Sequence, residues 1–306
     1  MTHNARVPPP WFSAAALTAV TAIWGYSFLL VHDAVAVYPV FLFLAVRFSI
    51  ATLLLLPFLK GRMRRLDRMT VAGGSLMGVA LFSGYAFQSW GLVWTSAAHS
   101  GFITGLFVVL TPLFEAAIRR RLPRLGVTLA VALATGGLVT LSWQGSFGRT
   151  NLGDLLSLVC AAVYAVHLLV TGHMARRYDT GALVIVQVAT VAGLSWIFSI
   201  PFLDRLVPIP RPAWIGILVT AVFATALAYY VQTAFQRFTS AVQTAIIFTM
   251  EPVFAGLAAV WLGGESLGWR GVIGGALIVA AMLIGQIAES GGIPKRSHPR
   301  VADPPG

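Results

Sequence analysis

Two ionisable residues stand near the middle of long apolar runs, Arg47 and Glu251. A charge at the centre of a membrane helix costs about 2.5–3.5 kcal/mol on insertion scales, so each must face a bundle interior and have a reason to be there. Glu251 suits a proton-coupling or substrate-cation site, or else a structural carboxylate paired with Arg47 or hydrogen-bonded across helices. Arg47 keeps its proton and must find an acceptor: Glu251, helix-terminal carbonyls or an anionic part of a substrate. The plainer reading of Arg47 is an interhelical anchor.

Around these charges stand polar and aromatic residues that apolar runs do not need. Trp24 and Tyr164 align at a displacement of 140 positions, away from the interface where such residues usually collect. They predict an aromatic-lined cavity for flat or apolar molecules, or aromatic core packing. Tyr85 with Gln88 and Tyr229 with Gln232 repeat one spacing, and the glutamines either bind substrate or tie helices together. His167 and His99 have no partner at metal-ligand spacing and read as polar contacts, with proton transfer as the lesser alternative. Pro112 and Pro252 remove backbone hydrogen bonds at corresponding places in two runs. Matched interruptions of this kind point to a midplane binding site, although harmless kinks are as common. Glu115 and Arg119, four residues apart, predict a local ion pair. Cys160 reads as packing, and the Gly101-x-x-x-Gly105 and Gly271-x-x-x-Gly275 pairs as close helix contacts.

The elements that hold these residues follow from composition. The chain has 306 residues, 58% hydrophobic and 10% charged, against roughly 45–50% and 25% in soluble domains. The apolar residues come in blocks of about 20, the length that spans about 30 Å of hydrocarbon. Helices are expected at about 11–31, 39–59, 70–92, 98–118, 125–143, 152–173, 181–202, 212–235, 241–262 and 269–289. The first block is longer than a signal-peptide core and is read as a helix, despite the cleavage-like Ala34-Val35-Ala36 that follows it. Residues 1–10 and 290–306 are Pro-rich, Gly-rich and basic and are expected to be disordered.

The net charge of +11 is accounted for by topology. With the N-terminus inside, sixteen of the 21 Lys and Arg residues fall in cytoplasmic segments, four fall outside, and Arg47 lies within a helix. That asymmetry places both termini in the cytoplasm and sets the basic residues against anionic lipid, which makes nucleic-acid binding unnecessary.

A repeat divides the chain. Tyr85-x-x-Gln88 with Thr95-Ser96-Ala97 matches Tyr229-x-x-Gln232 with Thr239-Ser240-Ala241 at a displacement of 144. Pro57-Phe58-Leu59 matches Pro201-Phe202-Leu203 at the same displacement, and Pro112-x-Phe114 matches Pro252-x-Phe254 at 140. Two halves result, 11–145 and 150–289, of five helices each. Because five is odd, the halves insert in opposite senses, which is the inverted repeat on which secondary transporters rock.

The combination Trp24-Gly25-Tyr26-Ser27-Phe28, Arg47-Phe48, Gln88-x-x-Gly91-Leu92-x-x-Thr95-Ser96-Ala97, Glu251-Pro252-Val253-Phe254, Gly264-Glu265-x-Leu267 and Gly274-Gly275-Ala276-Leu277-Ile278 resembles the EamA branch of the drug/metabolite transporter superfamily. The resemblance runs over about residues 11–289. It implies a permease whose central cavity is formed mainly by helices one to four and six to nine. It does not specify a substrate, because such proteins move amino acids, drugs, cofactors and other metabolites. In one departure, Arg119-Arg120-Arg121-Leu122-Pro123-Arg124 stands where related first halves often carry a Gly-Glu pair like Gly264-Glu265.

The expectation is an all-α integral membrane protein of ten transmembrane helices in two inverted five-helix repeats, with both termini cytoplasmic. Its expected function is secondary transport of a small organic metabolite or amino-acid-like compound across the cytoplasmic membrane, by efflux and alternating access. Its partners are a small-molecule substrate and the lipid bilayer, with a homodimer as a possible assembly. No Walker loop, GxGxxG or zinc signature occurs, so no cofactor is expected. The alternative is a membrane-embedded enzyme acting on a lipid or isoprenoid, which the dispersed acidic residues disfavour.

Overall fold

The computed structural model describes residues 8–59, 66–91, 94, 100, 103–142, 152–263 and 268–290. Thr95-Ser96-Ala97, His99, Gly101, Gly264-Glu265 and the tails 1–7 and 291–306 lie outside the described residues. Among the described residues every regular element is helical. In chain order these are α1 (Pro10–Val37), α2 (Val40–Leu55), α3 (Arg68–Gly91), α4 (Phe107–Arg119), α5 (Leu125–Ser142), α6 (Leu152–Ala175), α7 (Thr180–Ser199), α8 (Arg211–Gln236), α9 (Ala241–Phe248), α10 (Glu251–Gly263) and α11 (Trp269–Ser290).

Seven described helical stretches are long and apolar enough to cross a membrane. The 24 residues of α3 or α6 rise about 36 Å, slightly more than the hydrocarbon thickness. Large apolar side chains such as Leu53, Leu76, Leu155, Ile197, Phe223 and Ile287 are exposed on the outside of the bundle. A surface of that kind is stable against lipid and not against water. The chain is a multi-pass membrane protein.

Prolines and small polar residues set the ends. Pro10 opens α1, where its missing N–H has no helical partner to lose. The helix runs on to Val37, beyond the expected end at 31, and stops where Pro39 forces Tyr38 into extended backbone (φ −141°, ψ 139°). Pro39 and Pro210 precede α2 and α8. Asp179 caps α7 by accepting from the Ala182 N–H at 3.1 Å, and the Ser240 hydroxyl caps α9 by accepting from Gln243 N–H at 3.0 Å.

Three expected helices are not uniform: the run expected at 98–118 has a turn at Leu106, just before α4. Within α8, Thr220–Leu227 winds as a π-helix, a departure common at functional sites. The run expected at 241–262 is broken at Thr249 and Met250 between α9 and α10. Pro252 supplies a cause, because its ring would clash with the carbonyl four residues back, that of Phe248, where α9 ends. Pro112 instead sits inside α4, six residues after the turn at Leu106, so the two prolines do not stand at matching distances from a break.

The broadest helix pairings are α5 with α11, α3 with α6, and α7 with both α2 and α3. Alongside them, α1 packs on α8, α9 and α10, α4 packs on α6 and α9, and α2 packs on α8. Gly25 is needed for one of these approaches: a Cβ there would lie 2.6 Å from Phe254 Cβ and 2.8 Å from the Glu251 carbonyl oxygen. That closeness sets Trp24 and Glu251, on α1 and α10, around the same interior space.

Candidate functional site

The interior space is a cavity of about 440 Å³, within the range typical of small-molecule sites. Each main wall is a helix that contributes one or two of the residues singled out from sequence. Trp24 comes from α1, Arg47 from α2, and Tyr85 and Gln88 from α3. Tyr164 and His167 come from α6, Tyr229 and Gln232 from α8, and Glu251 from the first turn of α10. All nine therefore line one chamber, while Pro112 and Pro252 do not. No lining residue comes from α7, which packs behind α2 and α3 with Val184 and Val188 fully buried.

Arg47 is 3% exposed. Its Nε donates to the Thr225 hydroxyl at 2.7 Å, and an Nη2 N–H reaches the Ala224 carbonyl at 3.4 Å. The Ala224 carbonyl also accepts from the Trp24 indole N–H at 2.9 Å. Both acceptors belong to the π segment of α8, so the anchor that Arg47 needs comes from backbone and hydroxyl and not from Glu251. Three rings flank the guanidinium, with Phe43, Phe48 and Tyr85 centroids 5.9, 5.4 and 6.0 Å from Cζ, at distances where ring faces attract cations.

The aromatic residues form a connected wall. Trp24 packs on Tyr229 at 5.7 Å and edge-on to Phe248 at 5.0 Å, and Tyr85 stands edge-on to Tyr164 at 6.4 Å. Gly84 makes room for Tyr164, because any Cβ at position 84 would clash with the edge of the Tyr164 ring. The Tyr85 and Tyr229 hydroxyls meet at 2.8 Å. Those two tyrosines are the positions related by the 144-residue displacement.

The glutamines differ. Gln232 donates to Gln236 Oε1 at 3.2 Å, and Gln236 donates to the Leu168 carbonyl of α6 at 2.7 Å, a helix tie that leaves Gln232 Oε1 buried without a partner. Gln88 lines the cavity without a comparable tie among the described residues. His167 is buried, with Nε2 3.4 Å from the Thr171 hydroxyl. Glu115 pairs with Arg119 at 2.8 Å, as its spacing predicts. Cys160 is buried and donates to the Gly84 carbonyl at 3.2 Å, which agrees with a packing role. Sequence reasoning missed Phe43, Ala224 and Thr225.

An apolar helical bundle with an internal chamber lined by buried polar groups and aromatic rings is the architecture of a multi-pass membrane protein. The chain belongs to the EamA-like transporter family, whose profile matches residues 11–143 and again 151–285. It is 34% identical over 268 residues to an uncharacterized transporter of Archaeoglobus fulgidus, an alignment covering 88% of this chain and 83% of that one. A solved structure titled only as a crystal structure of a protein shares the fold, with a TM-score of 0.76 at 20% identity over 92% of this chain and 99% of that chain. The protein is a membrane transporter, a class whose members are not usually enzymes.

Proposed function

We propose that the protein is a secondary permease of the cytoplasmic membrane that exports a small organic metabolite, amino-acid-like compounds among them, by alternating access. The observation that carries this reading is a chamber whose walls come from both halves of the chain, with Arg47, Tyr85 and Gln88 from the first and Tyr229, Gln232 and Glu251 from the second.

In this reading the halves are inverted five-helix repeats with both termini cytoplasmic. The helix pairing supports it. Exchanging first-half spans with their second-half counterparts turns the α3–α6 packing into α1–α8, and α3–α7 into α2–α8. The same exchange turns α1 against the broken ninth span into α4–α6, and returns α5–α11 and α2–α7 to themselves; each of these pairings occurs. The hydroxyl contact of Tyr85 with Tyr229 has the geometry of equivalent residues meeting on a two-fold axis. Two successive family matches support the same division. A two-fold axis in the membrane plane lets one bundle rock against another about a fixed site.

Reconstitution in liposomes, with a metabolite panel assayed with and without an imposed proton gradient, tests the proposal. Saturable flux of at least one small metabolite is expected. Folded protein that moves none of a broad panel overturns it.

A further inference from the structure

The turn between α4 and α5, Arg119-Arg120-Arg121-Leu122-Pro123-Arg124, sets arginines among apolar side chains at the end of the bundle, away from the chamber. Arg119 is paired with Glu115 at 2.8 Å. Among the described residues no acidic side chain pairs with Arg120, Arg121 or Arg124, and all three are exposed. The C-terminal end of α4 favours positive charge, which answers Arg119 and Arg120. It does not answer Arg124, which directly precedes α5, because that end of a helix disfavours a cation and the first turn of α5 holds no acidic residue. Arg120 is also, among the described residues, the non-glycine residue with positive φ (52°). This left-handed position closes a helix and usually falls to Gly or Asn. An arginine kept where glycine fits more easily points to a use for its side chain.

The apolar side chains of the turn stand clear of the bundle. Leu122 is 93% exposed, more than any other large apolar side chain among the described residues, and Leu125 and Ile118 are 76% and 73% exposed. The turn lies level with a membrane boundary. The reason is that α5 packs along α11, and a Cβ at Gly126 would lie 2.7 Å from the Cβ of Ala288, the last residue of the apolar span of α11. Topology asks only for positive charge near the ends of spans. It needs neither a left-handed arginine nor a leucine projecting from the bundle. A lipid uses all of these features at once: guanidinium groups take phosphate oxygens in a bidentate fork, and apolar side chains at the boundary meet the acyl chains.

We propose that the turn between α4 and α5 is a binding site for an anionic phospholipid, its phosphate held by Arg120, Arg121 and Arg124 and its acyl chains laid along Ile118, Leu122 and Leu125. The second half does not repeat the site, since Gly264-Glu265 puts an acidic residue after the corresponding span. The site faces lipid and is separate from the chamber, so it stands whether or not the chamber carries out transport.

Native mass spectrometry of the full-length protein, titrated with phosphatidylglycerol and with phosphatidylcholine of the same acyl chains, tests it. The first phosphatidylglycerol is expected to bind about ten-fold more tightly than the first phosphatidylcholine, the scale that a few arginines beside an anionic headgroup supply. Arg121→Gln combined with Arg124→Gln should remove most of that preference. Arg120→Gly should reduce it several-fold with thermal stability equal or higher, because glycine adopts the left-handed conformation at no steric cost. An Arg120 that served only the turn would leave the preference unchanged in this variant. Lys295→Gln, Arg296→Gln and Arg300→Gln together remove three charges from the tail and should leave the preference intact. Glycerol phosphate, which carries the charge of the headgroup without its chains, should not displace the lipid at equal concentration. Equal binding of the two lipids, a preference untouched by the variants in the turn, an equal loss in the tail variant, or displacement by glycerol phosphate overturns the proposal.

Discussion

At Glu251 an exchange of one oxygen for nitrogen removes the ionisable group and keeps the side chain's size. In the permease account, Glu251→Gln loses gradient-driven transport in proteoliposomes while its thermal unfolding stays cooperative; unaltered coupled uptake would remove Glu251 from the mechanism. A second residue gives a pH signature outside the membrane. The Asp67 carboxylate accepts from Thr70, whose backbone N–H lies at 2.7 Å, and these hydrogen bonds hold its pKa below the usual value. A carboxyl lowered on folding contributes stability that is complete above its unfolded pKa of about 4 and is lost as pH falls through the folded value. Asp67→Asn keeps an acceptor at the start of α3 but cannot titrate, so the fall in melting temperature with acidification should be shallower than in wild type; equal slopes would contradict this. The nine cavity residues were legible because a charge, amide, imidazole or ring in hydrocarbon stands out from its apolar surroundings. The Ala224 carbonyl was not, since every residue carries a carbonyl and only the local winding decides what it meets. Arg47 meets that carbonyl and the Thr225 hydroxyl in place of Glu251 for the same reason.

Helix interruptions are the features that sequence periodicity conveyed least well. Apolar runs place spans to within several residues, and Asp179, Ser240 and the Pro39 and Pro210 stops mark boundaries by familiar capping chemistry. They do not reveal a π segment at Thr220–Leu227, whose side chains are as apolar as those of any helix. Pro112 and Pro252 look equivalent in the chain, yet only Pro252 follows a break directly, whereas the turn at Leu106 lies six residues before Pro112, because the cost of a missing bond depends on what neighbouring helices return. Pro252→Ala restores the N–H and removes the clash with the Phe248 carbonyl. The expected outcome is slower amide exchange across residues 248–252, with stability equal or higher, and transport slowed several-fold. Slowed exchange with a wild-type transport rate would show that the break between α9 and α10 has no part in the cycle.

On the scale of the whole molecule, the proposed reading joins the sequence repeat, the basic-residue asymmetry and the pairing of helices in one object, two halves around a shared chamber. Membrane character was legible from composition, and the family from scattered motifs, because lipid imposes length and apolarity on every span. The cavity's exact walls were not, since α7 and α8 read alike in hydropathy and only packing sends α8 to the chamber and α7 behind it. The central claim is that this one chamber opens to each side of the membrane in turn. Ser27 lines the cavity from α1, and Cys160 is the protein's single cysteine. Ser27→Cys in a Cys160→Ser background therefore gives one reporter thiol, to be labelled in oriented proteoliposomes with a membrane-impermeant maleimide applied to one side at a time. The account predicts labelling from both sides, with transported substrate slowing both reactions. Labelling that proceeds from one side only, with and without substrate, would contradict it.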